Sequence, residues 1–240
     1  MGRKKKDIAK AIQGEAEYLH RKIEEGDNTA SIFDYIAVGG YTDLSEYNRD
    51  KSVYLLSRQE YEVVEEPYIG EDVPVEYVMG KRPAFLYTID CGTSYAFVPI
   101  GYVDDGRIAS HGLQIVGLGY NAEHGIILSF NGDLRVYLII PNEIDLHTDY
   151  FTNRIAEYLT ANYKECTVDN NDLMVEGKKV AGAAEIHYND MKIMLFQITF
   201  NDNAELIREI CGVQTKEPGF IDKDVMSPYT LKDEFLRWLQ

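Results

Sequence analysis

Two lysines stand side by side in VEGKKVAGAAE, residues 175–185: Lys178 and Lys179 follow Gly177 and precede the small residues Ala181, Gly182, Ala183 and Ala184. A strand of small side chains lets a ligand approach the backbone closely. An ammonium beside it stabilises charge on carboxylate or phosphate oxygens where water is excluded, and lysine does this as a reachable point charge. A plainer reading stands next to that one. Both lysines directly follow a turn, and adjacent strand residues point to opposite faces, so at least one lysine is expected in solvent. Alternation also predicts Lys179, Ala181, Ala183, Glu185 and His187 on one face. Glu185 and His187 read there either as a base or as a solvated pair.

The rest of the chain limits what such a cation can serve. The 240 residues carry a net charge of −16, which repels phosphate backbones and excludes broad nucleic-acid binding. The 18 tyrosines come without a basic stripe and read as core edges, not as stacking platforms for bases. No apolar run approaches the ~20 residues of a membrane helix, and MGRKKK leads into a polar helix, so neither an anchor nor a signal peptide is expected. Cys91, Cys166 and Cys211 are widely spaced without a CxxC pair, which points away from a zinc site or disulfide framework and toward a reducing, cytoplasmic setting. His111, His124 and His187 show no ligand spacing such as HxxxH, so no metal site is expected.

The elements that must position the lysines form an α+β pattern: a mixed, mostly antiparallel sheet with helices packed on it, in a single domain over 1–240 with a divergent region of about 80 residues at its start. Ile8, Ile12, Leu19 and Ile23 predict an amphipathic helix over 7–25, stopped by Gly26. SIFDYIAV, SVYLLS and YEVVEE read as strand-like pieces. From residue 84 onward strands dominate (AFLYTI, YAFVPIGYV, LQIVGLGY, GIILSF, LRVYLIIP), and Asn131-Gly132 is a strong hairpin signal between the last two. DYFTNRIAEYLTANY, 149–163, aligns Phe151, Ile155, Tyr158, Leu159 and Tyr163 on one helical face. Three strands follow, turning at Glu176-Gly177 and Asn189-Asp190. Asn203 caps a short helix through Cys211, Pro218 and Gly219 break the chain, and Thr230 opens a final helix that buries Phe235 and its neighbours.

Residues 166–200, CTVDNNDLMVEGKKVAGAAEIHYNDMKIMLFQITF, resemble the core of the biotin and lipoate protein ligases and the related octanoyltransferases. The resemblance is carried by Asn171, Asp172 and Leu173, then Gly177, Lys178, Lys179, Val180, Ala181 and Gly182, with the helix before and the short helix after in the same order. It covers about 150–212. It implies a lipoate-, octanoate- or biotin-type acid as ligand, with ATP and Mg for activation to an acyl-adenylate. It also implies transfer to a lysine of a carrier protein, such as a lipoyl or biotinyl domain. Lys179 matches the family's invariant lysine, Asp172 would hold a metal–phosphate or orient that lysine, and Gly182 and Ala183 would let the ligand approach.

The chain also departs from the family. An upstream Gly-rich stretch normally wraps the phosphates and acyl chain; 107–130 occupies its place, with Arg107, His111, Gly117 and Gly119 as candidate ligand-binding residues. The family's arginine–glycine cluster is missing from it. Backbone N–H groups of 117–121 could cradle a phosphate, or these glycines are turns and bulges. Cys211-Gly212 stands where octanoyltransferases carry their cysteine nucleophile. A thiolate near Lys179 would take an acyl group from a thioester without ATP, whereas the apolar face of its helix argues for a buried core cysteine. The missing cluster and the unusual first 80 residues also support an alternative, a ligase-like fold without catalysis that binds or scaffolds.

Overall fold

The computed structural model describes residues 44–240 apart from 68, 69, 71, 100, 101, 104, 105, 119–125 and 213. The helix expected over 7–25 and the piece SIFDYIAV lie outside the described residues. The chain divides into two compact units. In the first, helix α1 spans Leu44–Ser57, and Ser52 Oγ accepts the Asp145 N–H at 3.0 Å. SVYLLS is therefore helical and not strand-like. A short apolar run carries no period of its own, and here it extends a helix begun eight residues earlier.

The second unit holds Gln59–Glu143 and His147–Gln240. Its strands are β1 (Glu62–Glu65), β2 (Ala84–Thr88), β3 (Tyr95–Pro99), β4 (Gln114–Leu118), β5 (Ile127–Ser129), β6 (Leu134–Pro141), β7 (Cys166–Asp169), β8 (Asp172–Val175), β9 (Lys178–Tyr188) and β10 (Met191–Ile198). Its helices are α2 (Asp72–Met79), the single turn α3 (Arg107–Ser110), α4 (Thr148–Asn162), α5 (Ala204–Cys211) and α6 (Pro228–Trp238). Seven strands form one sheet in the order β1-β2-β6-β10-β9-β8-β7, and β4-β3-β5 form a smaller one. Among the described strands only β1–β2 and β3–β4 pair in parallel, so the architecture is the mixed, mostly antiparallel α+β arrangement expected.

Burial explains why β6 and β10 are central. Seven of the eight residues are buried in β6 and in β10 alike, so each strand must be covered on both faces. One face packs Tyr77 and Val78 of α2 onto Leu86, Tyr137, Ile139, Ile193 and Leu195. On the other, Phe151 of α4 and Phe235 of α6 close on Phe196, with ring centroids 5.9 and 5.3 Å away. The periodic apolar stripe of α4 accounts for this, since Phe151, Ile155 and Leu159 are all buried. The last helix begins at Pro228, two residues before the expected Thr230; Ser227 caps it by accepting the Tyr229 N–H at 3.2 Å, and proline at the first turn sacrifices no bond.

Asn131-Gly132 is a turn but not a hairpin. Gly132 takes a left-handed φ of 89°, yet β5 belongs to the small sheet and β6 to the large one. The tie is supplied from elsewhere: Gly132 N–H donates to Ile89 O at 2.8 Å, and Asn201 Nδ2 donates to Asn131 O at 2.9 Å. Behind it, buried Asp133 accepts from the N–H groups of Phe200 and Phe130 at 2.8 and 3.2 Å. Burial pushes its carboxyl up to about 6 despite those bonds.

Candidate functional site

Two tight turns set up the lysine strand. Asn170 and Asn171 join β7 to β8 with φ of 51° and 65°, and Glu176-Gly177 join β8 to β9 with φ of 52° and 76°. Asparagine and glycine tolerate this left-handed backbone, which matches the twist of a two-residue hairpin. The turns expected at 176–177 and 189–190 are both present, with Asn189 also at positive φ.

Strand β9 then departs from simple alternation. Leu173 pairs with Ala181 but Met174 pairs with Lys179, so Val180 is an extra residue, a bulge. The bulge brings Lys179 to the side of Gly182: a Cβ on Gly182 would lie 3.3 Å from Lys179 Nζ and 3.2 Å from Asp172 Oδ1. The expectation that Lys179 shares its face with Ala183, Glu185 and His187 is overturned by that one inserted residue. The neighbouring lysine goes elsewhere, with Lys178 Nζ 3.9 Å from Glu217 Oε1 and its side chain half exposed.

The backbone of Lys179 is held on its far side by the Pro218-Gly219 segment. Lys179 N–H donates to Glu217 O, and Gly219 N–H donates to Lys179 O, both at 2.8 Å. Gly219 is required for this approach, because a Cβ there would stand 2.6 Å from Lys178 Cβ. The same docking delivers Lys216. Asp172 is gripped from both sides, with Lys179 Nζ 2.8 Å from Oδ1 and Lys216 Nζ 2.8 Å from Oδ2. Lys216 also reaches Asp169 Oδ2 at 2.9 Å, and its bonds to Asp172 and then Asp169 hold its ammonium above the usual lysine range. Sequence reasoning missed Lys216, because nothing in its spacing ties it to a carboxylate 44 residues earlier.

These groups open onto a cavity of about 550 Å³. One part is polar, with Asp172, Lys179 and Lys216; another is apolar, with Leu128, Leu195 and Ile207. A pocket of this size and mixed lining suits a small molecule with one charged end. Gln197 forms part of the wall. Arg135 Nε donates to its Oε1 at 3.0 Å, which fixes the amide orientation and leaves Nε2 buried without a partner. Gln197, too, was not singled out from the sequence.

Among the expected site residues, Asp172, Lys179, Gly182, Ala183 and Cys211 all line this cavity. Arg107, His111 and Gly117 do not. Gly117 pairs with Val98 inside β4, and His111 Nε2 lies 3.4 Å from Glu209 Oε2. Arg107 acts on Cys211 through its charge. Burial pushes the Cys211 thiol up, and Arg107 lowers it by less, so the net direction opposes thiolate formation. Gly119 and His124 lie outside the described residues. Both oxygens of Asp172 are engaged by ammonium groups, which suits orienting Lys179 better than ligating a magnesium ion.

No family model matches the sequence, and no curated protein resembles it in sequence. Solved structures do resemble it in fold. The P. falciparum protein LipL1 in complex with lipoate matches at TM-score 0.55 and 13% identity over 74% of this chain. This chain spans only 61% of LipL1. A bipartite lipoate protein ligase from Thermoplasma acidophilum, studied with its E2 lipoyl domain, matches at 0.56 and 15% identity over 75% of this chain and 81% of its own. Lipoate-protein ligase A bound with ATP matches at 0.55 and 14% over 75% and 83%. At such identities the likeness is one of architecture, and the α+β unit built on the seven-stranded sheet has the fold of the lipoate-protein ligase catalytic domains.

Proposed function

We propose that this chain binds a lipoate-, octanoate- or biotin-type carboxylic acid in the 550 Å³ cavity and acts as a protein ligase or acyltransferase toward a carrier-domain lysine. One observation carries the reading: Lys179 is fixed in the cavity wall, by Asp172 at its tip and by the 217–219 segment along its backbone. An ammonium so placed meets a carboxylate with one or two of its three donors while the third stays on Asp172. Leu128, Leu195 and Ile207 suit the acid's hydrocarbon portion.

ATP, when bound, would supply the adenylyl group that activates the carboxylate. The chain's own residues contribute position and charge: Lys179 holds the acid's oxygens and balances the negative charge that grows as they react. Lys216 keeps Asp172 paired whenever Lys179 turns to the ligand, so no carboxylate is left unpaired beside the incoming acid. The raised Cys211 thiol supports the ATP-dependent ligase over the thioester-dependent transferase. An acidic carrier would have to dock on a chain of net charge −16, so its docking would need a local basic patch.

A second reading, a ligase-like fold that binds without catalysis, is favoured by the missing arginine–glycine cluster. Calorimetry with lipoic acid, octanoic acid or biotin, with and without ATP, separates the two when paired with intact-mass analysis of a lipoyl domain. Acid binding that Lys179→Ala abolishes, together with an acyl mass on the domain, supports the ligase. Acid binding without transfer supports the second reading, and no acid binding removes both.

A further inference from the structure

The end of β9 away from Lys179 carries three groups that the acid-binding reading does not use. Glu185 and His187 stand two apart on β9, and His147 immediately precedes α4. His147 Nδ1 and His187 Nε2 each lie 2.7 Å from the same oxygen, Glu185 Oε1. The other oxygen, Oε2, accepts the Thr148 N–H at 3.1 Å. Candidate ligand atoms from all three side chains fall within 4.8 Å of one another.

The hydrogen bonds around them fix how the His187 ring is oriented. Asn142 Nδ2 donates to Asn189 O at 2.6 Å, so the amide oxygen of Asn142 is the atom turned to His187 Nδ1, 3.2 Å away. An amide oxygen only accepts, so Nδ1 of His187 carries the hydrogen. A neutral imidazole protonated there has its lone pair on Nε2. That lone pair faces a carboxylate oxygen at 2.7 Å, acceptor against acceptor. The contact is repulsive unless positive charge sits between the two atoms, and a metal ion supplies it without a second ring proton. A metal-bound histidine usually donates its other ring N–H to an oxygen acceptor, and Asn142 Oδ1 is placed to accept it here.

We propose that His147, Glu185 and His187 bind one divalent first-row transition ion, with zinc as the reference. Two imidazoles and one carboxylate suit zinc or its neighbours, not calcium or magnesium, which prefer oxygen alone. Bonds of about 2 Å in tetrahedral geometry need donors about 3.3 Å apart, so each ring must draw back by several tenths of an ångström. Both histidine side chains are about half exposed, at 49% and 55%, and have room to do so. Three protein ligands leave a fourth position for water or a ligand group. Glu185 and Thr148 also line the 550 Å³ cavity, which puts the ion at its rim. The sequence concealed the site because His147 and Glu185 are 38 residues apart and meet only when α4 packs beside β9. The inference stands apart from the acid-binding reading and survives its failure.

The test is calorimetric titration of the full chain, stripped of metal with a chelator, with zinc chloride, repeated with cobalt(II) and read by visible absorption. One equivalent should bind the wild type. His147→Ala/His187→Ala should lose that equivalent, and Asn142→Ala should weaken it about 10-fold. Circular dichroism checks that each variant is folded, and His187→Gln replaces the double variant if it is not. Failure of the wild type to take up zinc overturns the proposal; the histidines then hold Glu185 by protons alone. Unchanged stoichiometry and affinity in the folded histidine variants overturns it equally.

Discussion

Phe196 and Gln197 are consecutive residues of β10, and they belong to different parts of the protein's work. Phe196 faces α4 and α6, is 1% exposed and is enclosed by the rings of Phe151 and Phe235. Gln197 faces the other way into the cavity wall, leans on Arg135 and leaves an amide nitrogen unpaired. Around Phe196 the sheet is closely packed; around Gln197 it borders a cavity, an unsatisfied donor and a lysine held in place by a carboxylate. A face optimised for stability alone would fill that hole, since cavities and orphaned polar groups both cost free energy. The contrast says that stability resides on the face under α4 and α6 and ligand recognition on the part of the other face that α2 leaves open, a division that substitution can break or sharpen.

The largest effect is expected on the packed face. Phe196→Ala removes a ring from a three-phenylalanine contact and should cost about 3–5 kcal/mol of unfolding free energy, measured by urea denaturation. Its acid affinity per folded molecule should stay near that of the wild type. An equal loss of affinity would mean the two faces are not separable.

Gly219→Ala comes next and tests the cavity face through its backbone. A Cβ at that position meets Lys178 Cβ at 2.6 Å, an atom anchored to the chain and unable to swing aside. Overpacking of this kind costs about 1–3 kcal/mol. It should also displace the Glu217–Lys179 pairing, so the acid should bind at least ten times more weakly. Stability lost without any change in acid binding would show that the 217–219 segment does not position Lys179.

Asp133 lies between the two sheets, and its pH behaviour has a definite sign. Its folded-state carboxyl titrates at about 6, above the ordinary aspartate value, so the native state holds a proton that the unfolded chain releases. The stability it contributes is full below the unfolded value near pH 4 and is lost as pH rises through 6. Asp133→Asn removes that titration. The difference in unfolding free energy between variant and wild type should therefore vary between about pH 4 and 6 and be flat above. Because the amide replaces one acceptor by a donor facing N–H groups, the variant should also be less stable at neutral pH by about 1–3 kcal/mol. A difference independent of pH would refute the raised carboxyl.

Much of this was legible in the sequence. The strands β8–β10, the α4 stripe and the turns at 176–177 and 189–190 follow from local patterns that nothing distant overrides, whereas β7 was not expected as a strand, and Lys179, Asp172 and Gly182 were named from the family resemblance. What stayed hidden is non-local. The Asn131-Gly132 signal was read correctly as a turn but wrongly as a hairpin, because Asn201 and Ile89, far along the chain, decide which sheet the chain enters next. SVYLLS was too short to show a period. One inserted residue at Val180 reversed the face assignment of the lysine, and a bulge leaves no trace in composition. Lys216 and Gln197 reach the site by docking and by register with Gly182, and neither link can be seen before the strands are paired.

The smallest expected change in stability is the one that sharpens the division most. Lys179→Ala removes a side chain that is 42% exposed, and ion pairs of that exposure contribute only about 0–1 kcal/mol. Asp172 stays paired, because Lys216 remains on its second oxygen. The variant should therefore unfold within about 1 kcal/mol of the wild type in urea. Lys216→Ala should do the same, since Lys179 then keeps the carboxylate paired. The two should differ in acid binding: Lys179→Ala loses the group proposed to meet the ligand's carboxylate, while Lys216→Ala loses only the spare partner of Asp172. Calorimetry on both variants decides between a specific role for residue 179 and a general need for positive charge beside Asp172, since equal losses of affinity would mean that the second ammonium recognises the acid as much as the first.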